Sequence, residues 1–239
     1  MTGPTLADAL AAADGVEGWL NDDQAGRLWE RAAAVAPGGT IVEIGSYRGR
    51  SAIVLATAAR EGVRVVAIDP HAGNDRGPQE IHGTSAEGEA DHRAFAENLR
   101  RSGVDDRVRH VRRPSQEALD AVDGPVDLLY VDGAHRYAPA RADLERWGAR
   151  VAPGGTMLVH DAFSAVGVTL ALAALHFRSA EWRYAGRARS LAEYRREPLD
   201  AAARRANLRR QLAQLPWFAR NLALKVALTA RLRSGEWPY

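Results

Sequence analysis

Residues 40–51 read Thr40-Ile41-Val42-Glu43-Ile44-Gly45-Ser46-Tyr47-Arg48-Gly49-Arg50-Ser51, and this stretch decides the fold. Ile41, Val42 and Ile44 give a buried strand its β-propensity, Gly45 and Gly49 let the backbone turn tightly beside a ligand, and Ser51 opens an Ala-rich helix. Strand, glycine loop and helix in that order form a nucleotide-cofactor loop. A dinucleotide fingerprint needs a second glycine two residues after the first, so that a pyrophosphate sits on the helix N-terminus. Here Ser46, Tyr47 and Arg48 follow Gly45, and the fingerprint is absent. Glu43, just ahead of the glycine, would repel a pyrophosphate, yet it suits a ligand with a cationic amino-acid end such as S-adenosylmethionine (SAM).

Outward from this loop, helical and strand patterns alternate, which builds a parallel sheet covered by helices. The expected elements are a helix over Asp23–Ala36, strands at Thr40–Ile44, Arg64–Ile68, Arg107–Val111, Val126–Val131 and Thr156–His160, and an apolar helix over Val166–Phe177. Trp182–Arg187 and Ser190–Arg195 read as a closing antiparallel hairpin. The fold class is α/β: a Rossmann-like doubly wound sheet, mostly parallel, with N- and C-terminal helices added. Three regions follow: an N-terminal helix and cap (1–22, with the helix over Leu6–Leu20), the sheet domain (23–196), and an arginine-rich helical extension (197–239).

A chain of 239 residues is long enough to bury a real core. No run of about 18 apolar residues and no signal-peptide pattern is present, so a soluble, cytoplasmic protein is expected. The absence of cysteine excludes disulfides, thiolate metal sites and a cysteine nucleophile. A net charge of +2 is too small to imply nucleic-acid binding.

Ligands of open α/β sheets bind beyond the carboxyl ends of the strands. Those ends are polar here: Glu43 and the glycine loop, Asp69-Pro70-His71, Asp132-Gly133-Ala134-His135, and His160-Asp161. Asp69 is placed to accept ribose hydroxyls, in a SAM enzyme and a dehydrogenase alike. Ser115 and Gln116, after the third strand, could cap a helix or reach an adenine ring.

The order Val-Glu-Ile-Gly-Ser-x-x-Gly-x-Ser, Ile-Asp-Pro, Val-Asp-Gly-Ala-His-x-Tyr and His-Asp resembles the class I SAM-dependent methyltransferases, in the branch of metal-dependent small-molecule and sugar O-methyltransferases. The resemblance covers roughly residues 18–196 and extends to enzymes that methylate polysaccharide precursors. It implies a SAM pocket built by Glu43, Gly45, Ser46, Asp69, Ser115 and Asp132, with Ser51 and Gln116 on the same side, and an acceptor bound across the same sheet edge.

A sugar hydroxyl is a poor nucleophile, so attack on the sulfonium methyl needs a base, a Lewis acid or both. Asp132 and Asp161 could hold Mg²⁺, or Mn²⁺, with His160 as a further candidate ligand; imidazole suits zinc or manganese better than magnesium. His135 is the candidate catalytic base. Each residue has a plainer alternative. Asp132 beside Gly133 also fits an Asx turn, Asp161 a helix cap, and Tyr137 packing against the next helix.

The polar, Gly-rich segment from Pro70 to His92, with His71 and His82, reads as a lid over the cofactor, with a solvated insertion as the alternative. In the extension, Leu208, Leu212, Leu215, Phe218, Leu222 and Val226 form an apolar stripe between arginines. That stripe is expected to pack on the core or on a twofold partner, making a homo-oligomer; contact with a membrane surface is the alternative, since Trp217 and Phe218 sit among arginines. Expected partners are thus a small-molecule or oligosaccharide acceptor and a second copy. Two rival readings remain: an NAD-dependent sugar oxidoreductase, which lacks its glycine spacing and a Tyr-x-x-x-Lys pair, and a non-catalytic binding protein on a methyltransferase fold.

Overall fold

The computed structural model describes residues 3–74 and 83–230. Its elements run α1 (Leu6–Ala12), α2 (Asp22–Ala33), β1 (Thr40–Ile44), α3 (Arg50–Ala58), β2 (Arg64–Ile68), α4 (Ser85–Arg101), β3 (Val108–Val111), β4 (Val126–Val131), α5 (Tyr137–Arg146), β5 (Val151–Val159), α6 (Val166–Leu175), β6 (Trp182–Ala188), β7 (Leu191–Arg196), α7 (Ala201–Leu212) and α8 (Leu215–Thr229). One seven-stranded sheet has the order β3-β2-β1-β4-β5-β7-β6. The first five strands in that order are parallel; β7 pairs antiparallel with β5 and with β6. The expected mixed Rossmann-like sheet with its antiparallel end is therefore present.

Strand order reverses between β1 and β4, the crevice where such sheets take ligands. Register makes this crevice polar. Ile44 lies opposite both Ile68 and Val131, and Val131 opposite Val159, so Gly45, Asp69, Asp132 and His160 leave the sheet at one level.

Alternate residues of the buried strands feed two cores. Val42, Ile44, Leu129 and Val131 pack on one face with Trp147 and Leu172; Ile41, Leu128 and Tyr130 pack on the other with Leu28, Ile53 and Leu55. Cutting one of these buried aliphatic side chains to Ala would cost about 2–5 kcal/mol.

Element bounds differ from the sequence expectations for local reasons. Helix α1 stops at Ala12, well before Leu20, because the chain turns through Gly15 at φ +67°. Helix α2 begins one residue earlier than expected: Asn21 and Gln24 form a reciprocal capping box. Strand β5 starts at Val151, taking in the Pro-Gly-Gly turn, and His160 follows it.

The Pro70–His92 segment is not one long loop. Thr84 and Glu87 form a capping box that starts α4 at Ser85, and the segment's N-terminal root is packed hard against that helix. A Cβ on Gly88 would lie 2.2 Å from the His71 carbonyl oxygen, and one on Gly73 2.0 Å from that of Thr84. Residues 75–82 of the expected lid, His82 among them, lie outside the described residues, as does the 231–239 end of the extension.

The C-terminal helices make only in part the first of the two packings expected for their stripe, on the core or on a twofold partner. They turn polar side chains inward: Asn207, Gln211 and Asn221 are buried, while Leu212, Leu215, Leu222 and Val226 are exposed. Gln211 accepts from the Tyr194 hydroxyl and Asn207 pairs with the β6 backbone. Only Leu208, Trp217 and Phe218 lean on the core. Hydrogen bonding, rather than the apolar stripe, sets the faces of these helices.

Candidate active site

The β1–α3 loop is held by backbone donors. Gly45 sits at φ +82°, and a Cβ there would fall 2.1 Å from the Asp132 carbonyl oxygen, so only glycine lets the two loops touch. Asp69 fixes the rest: its Oδ2 accepts from the Ser46 and Tyr47 amides at 2.9 Å each, and its Oδ1 from the His71 amide at 2.7 Å. The carboxylate expected at a ribose thus spends most of its acceptor capacity shaping the loop. Ser46 and Ser51 line the cavity beside it.

Glu43 is not in the cavity wall. It is fully buried on β1, behind the loop, and burial pushes its carboxyl up to about 7 against the opposing Ser46 and Ser51 hydroxyls. A direct contact from Glu43 to a ligand's ammonium would need the loop to move. Its evident effect is on the loop from beneath.

The β4 and β5 ends form a cluster of side-chain charge. His160 Nδ1 lies 3.0 Å from Asp132 Oδ1; His135 Nε2 lies 3.8 Å from the same oxygen and 3.4 Å from Asp161 Oδ2. The Tyr130 hydroxyl donates to Asp132 Oδ2 at 2.8 Å. Burial disfavours charge here, but the Asp132 and Asp161 carboxylates outweigh it and hold the His160 imidazole up at about 9. They raise His135 as well, and the two imidazoles in turn hold Asp132 well below the usual carboxylate range despite its own burial.

Asp161 does not cap α6 with its side chain; the N-cap is Ala165. It sits at φ +54°, a left-handed conformation that costs a non-glycine residue about 1–2 kcal/mol.

Among the described residues, Asp132, His135 and His160 can each bring a ligand atom within 4.8 Å of the others. This differs from the expected set, in which Asp161 stood where His135 now does. Two imidazoles and one carboxylate suit Mn²⁺ or Zn²⁺; Mg²⁺ takes oxygen ligands and does not fit this donor set.

Between the two sides lies a cavity of about 490 Å³, a usual size for a small-molecule site. Ser115 and Gln116 both line it. The Ser115 hydroxyl donates to Asp143 Oδ1 at 2.5 Å and caps no helix, and burial lifts the Asp143 carboxyl to about 6. Gln116 is exposed at the rim, and Tyr137 is 40% exposed rather than packed.

Several wall residues carried no recognisable sequence signal. The irregular stretch 17–20 lies at the mouth: the Trp19 ring meets Tyr47 at 5.2 Å, the Tyr47 hydroxyl donates to Glu17 at 3.1 Å, and Arg50 donates to the Val16 carbonyl at 2.8 Å. Asp143 was equally hidden, being one of two acids on an amphipathic helix with no motif around it. The triad His71, His92 and His110 packs by its rings around Phe95, with centroids 4.7–5.4 Å apart, and His71 Nε2 meets the Tyr47 carbonyl at 2.7 Å. Those histidines support the cofactor loop and bring no compact ligand set with them.

Sheet order, a glycine loop at the switch point and a polar cleft behind it define a Rossmann-like α/β domain with its crevice at the carboxyl ends of the strands. Residues 42–162 match the family model "Methyltransferase domain", and the chain belongs to that family, with the SAM-dependent O-methyltransferase fold. Over 161 residues it is 31% identical to a catechol O-methyltransferase of Mycobacterium tuberculosis (strain ATCC 25618 / H37Rv), covering 66% of this chain and 64% of that protein. The chain spans less than two thirds of two curated relatives it matches, 13% and 64% of their lengths.

Among solved structures, cofactor-bound Rv0187 from MTB shares the fold with a TM-score of 0.54 at 24% identity, over 83% of this chain and 92% of that one. The O-methyltransferase TomG from Streptomyces achromogenes, in complex with SAM, gives 0.55 at 19% identity, over 83% and 91%. No described helix is long and apolar enough to cross a membrane.

Proposed function

We propose that this protein is a SAM-dependent O-methyltransferase acting on a hydroxyl of a sugar or another small hydroxylated acceptor, with a methylated mannoside of polysaccharide biosynthesis as the acceptor class to test first. The observation that carries this reading is the juxtaposition, across one cavity, of a glycine loop fixed on Asp69 and a buried His/Asp cluster. SAM lies on the first side, its polar end towards Ser46, Ser51 and Asp69 and its adenine end towards Ser115 and Gln116. The acceptor hydroxyl lies on the second.

In the reaction, a lone pair of the acceptor oxygen forms a bond to the methyl carbon while the carbon–sulfur bond breaks. Its electron pair returns to sulfur, leaving neutral S-adenosylhomocysteine, and the hydroxyl proton goes to His135 Nε2. Asp132 and Asp161 orient that imidazole and stabilise its charge once protonated. A divalent ion of the Mn²⁺ class, held by Asp132 and His160, would supply Lewis acidity that lowers the acceptor's pKa. His135 is near enough to be a third ligand, but a ligated nitrogen cannot also take a proton, and this reading gives His135 to the proton.

The printed name of the mycobacterial relative makes catechol the second acceptor to try. The exposed row Leu212, Leu215, Leu222 and Val226 supports self-association. The test is formation of S-adenosylhomocysteine from SAM with Mn²⁺ and either a 3-O-methylmannoside or catechol. Turnover with the mannoside supports the sugar reading, turnover with catechol alone replaces the acceptor, and none across a wider panel of sugar and phenol acceptors contradicts methyl transfer.

A further inference from the structure

Helix α8 lies beyond the stretch matched by the family model, yet it reaches the charged side of the site. The turn after β5 carries two non-glycine residues in the left-handed region, Asp161 at φ +54° and Phe163 at φ +56°. Such a backbone persists only where its surroundings over-determine it. Part of the restraint is internal, since the Ser164 and Ala165 amides both donate to the Asp161 carbonyl, at 3.1 and 2.8 Å.

The rest comes from α8. Asn221 Nδ2 donates to the Phe163 carbonyl at 3.2 Å, and Lys225 Nζ to the Ser164 carbonyl at 3.0 Å. Four residues apart, the two side chains share one helix face. Asp161, Phe163, Ser164 and Asn221 are all buried, where an unmatched carbonyl is expensive. Lys225 is the only lysine among 32 basic residues. A flexible stem with a compact charge suits a single carbonyl deep in a crevice, where the broad guanidinium fork does not. Beneath this contact, Arg187 stacks on Trp217 at 3.8 Å from the ring centroid and anchors the start of the helix.

We propose that Asn221 and Lys225 are positioning residues: α8 grips the strained turn and so keeps His160 and Asp161 aimed at Asp132 and His135. The consequence for catalysis rests on the methyl-transfer reading; the positioning itself does not.

The test uses the full chain and its seven histidines, whose rings are observed by long-range ¹H–¹⁵N spectra. Lys225→Met keeps the stem and removes the ammonium, Lys225→Arg keeps a charge, and Asn221→Ala removes the other donor. In Lys225→Met and Asn221→Ala the His135 and His160 ring signals should move while those of His71, His92, His110 and His176 stay. Lys225→Arg should restore much of the wild-type pattern, and S-adenosylhomocysteine affinity should hold within about twofold throughout, because these α8 side chains bond to the turn after β5 and not to the cofactor loop. Unmoved His135 and His160 signals in both folded variants would overturn the proposal. So would a shift of all rings together with a lowered melting temperature, which marks a role in the fold as a whole. Wild-type protein that fails to bind S-adenosylhomocysteine would remove the methyl-transfer reading and leave the ring comparison to decide this one.

Discussion

The two walls of the cavity are made by different means. On the β1–β2 wall, three backbone amides converge on one carboxylate and a glycine permits a close approach; on the β4–β5 wall, two imidazoles and two carboxylates balance one another's charge. A backbone-built wall has one shape and little response to its surroundings. A wall of coupled charges changes with each proton or cation it receives, as a reacting centre requires. On the proposed reading this is a division of labour: the first wall would recognise a constant cofactor, and the second would do chemistry.

The comparison is sharpened most by removing the charged wall's reactive group. His135→Ala is expected to lower turnover by about 10²–10⁴-fold, with S-adenosylhomocysteine binding by calorimetry and Mn²⁺ binding by electron paramagnetic resonance both retained. Loss of Mn²⁺ together with activity would make His135 a ligand instead. Gly45→Ala attacks the place where the walls meet. Its Cβ would press on the Asp132 carbonyl, so cofactor affinity should fall at least about tenfold and the melting temperature should drop.

Asp69→Asn removes the charge and replaces one accepting oxygen by an NH₂ donor, so at least one of the three amides loses its charge-assisted bond, worth about 1.5–3 kcal/mol. The expected outcome is weaker cofactor binding with unchanged His135 and His160 ring signals; movement of those signals would show that the walls are not independent.

Glu43 gives a pH test of the first wall. Burial pushes its folded carboxyl up to about 7, whereas an unfolded one loses its proton near the ordinary value of 4.5. Stability from this group is therefore present below pH 4.5 and lost as pH rises through 7. Glu43→Gln should flatten that slope in denaturant titrations, by up to about 3 kcal/mol at pH 8.

The smallest effect belongs to the outer surface. Leu222→Lys with Val226→Lys should shift any oligomer to monomer by sedimentation while leaving cofactor binding alone. Unchanged sedimentation of an oligomeric wild type would place the interface elsewhere.

How far the sequence could be read follows the same division. The strands, the glycine loop and the acids at the strand ends were legible because β-propensity, φ freedom and short-range spacing are local properties. Ser115 meeting Asp143, the 17–20 stretch at the mouth, and His135 joining Asp132 and His160 as a candidate donor were not, since each depends on which loops the sheet brings together. The tail was legible only in part for a related reason. Periodicity reports an apolar stripe but not whether buried amides such as Asn207, Gln211 and Asn221 claim the opposite face, and here they do. The start of α4 was legible in principle from Thr84-x-x-Glu87, a capping box masked by the glycine-rich sequence around it.

The most direct test of the account is calorimetric titration of S-adenosylhomocysteine into the full chain after EDTA treatment, repeated with Mn²⁺. Because the cofactor wall is built from backbone donors and needs no cation, the expected result is one-site, micromolar binding in both conditions. No binding heat in either condition, from protein shown to be folded, would contradict the assignment of the cavity to SAM.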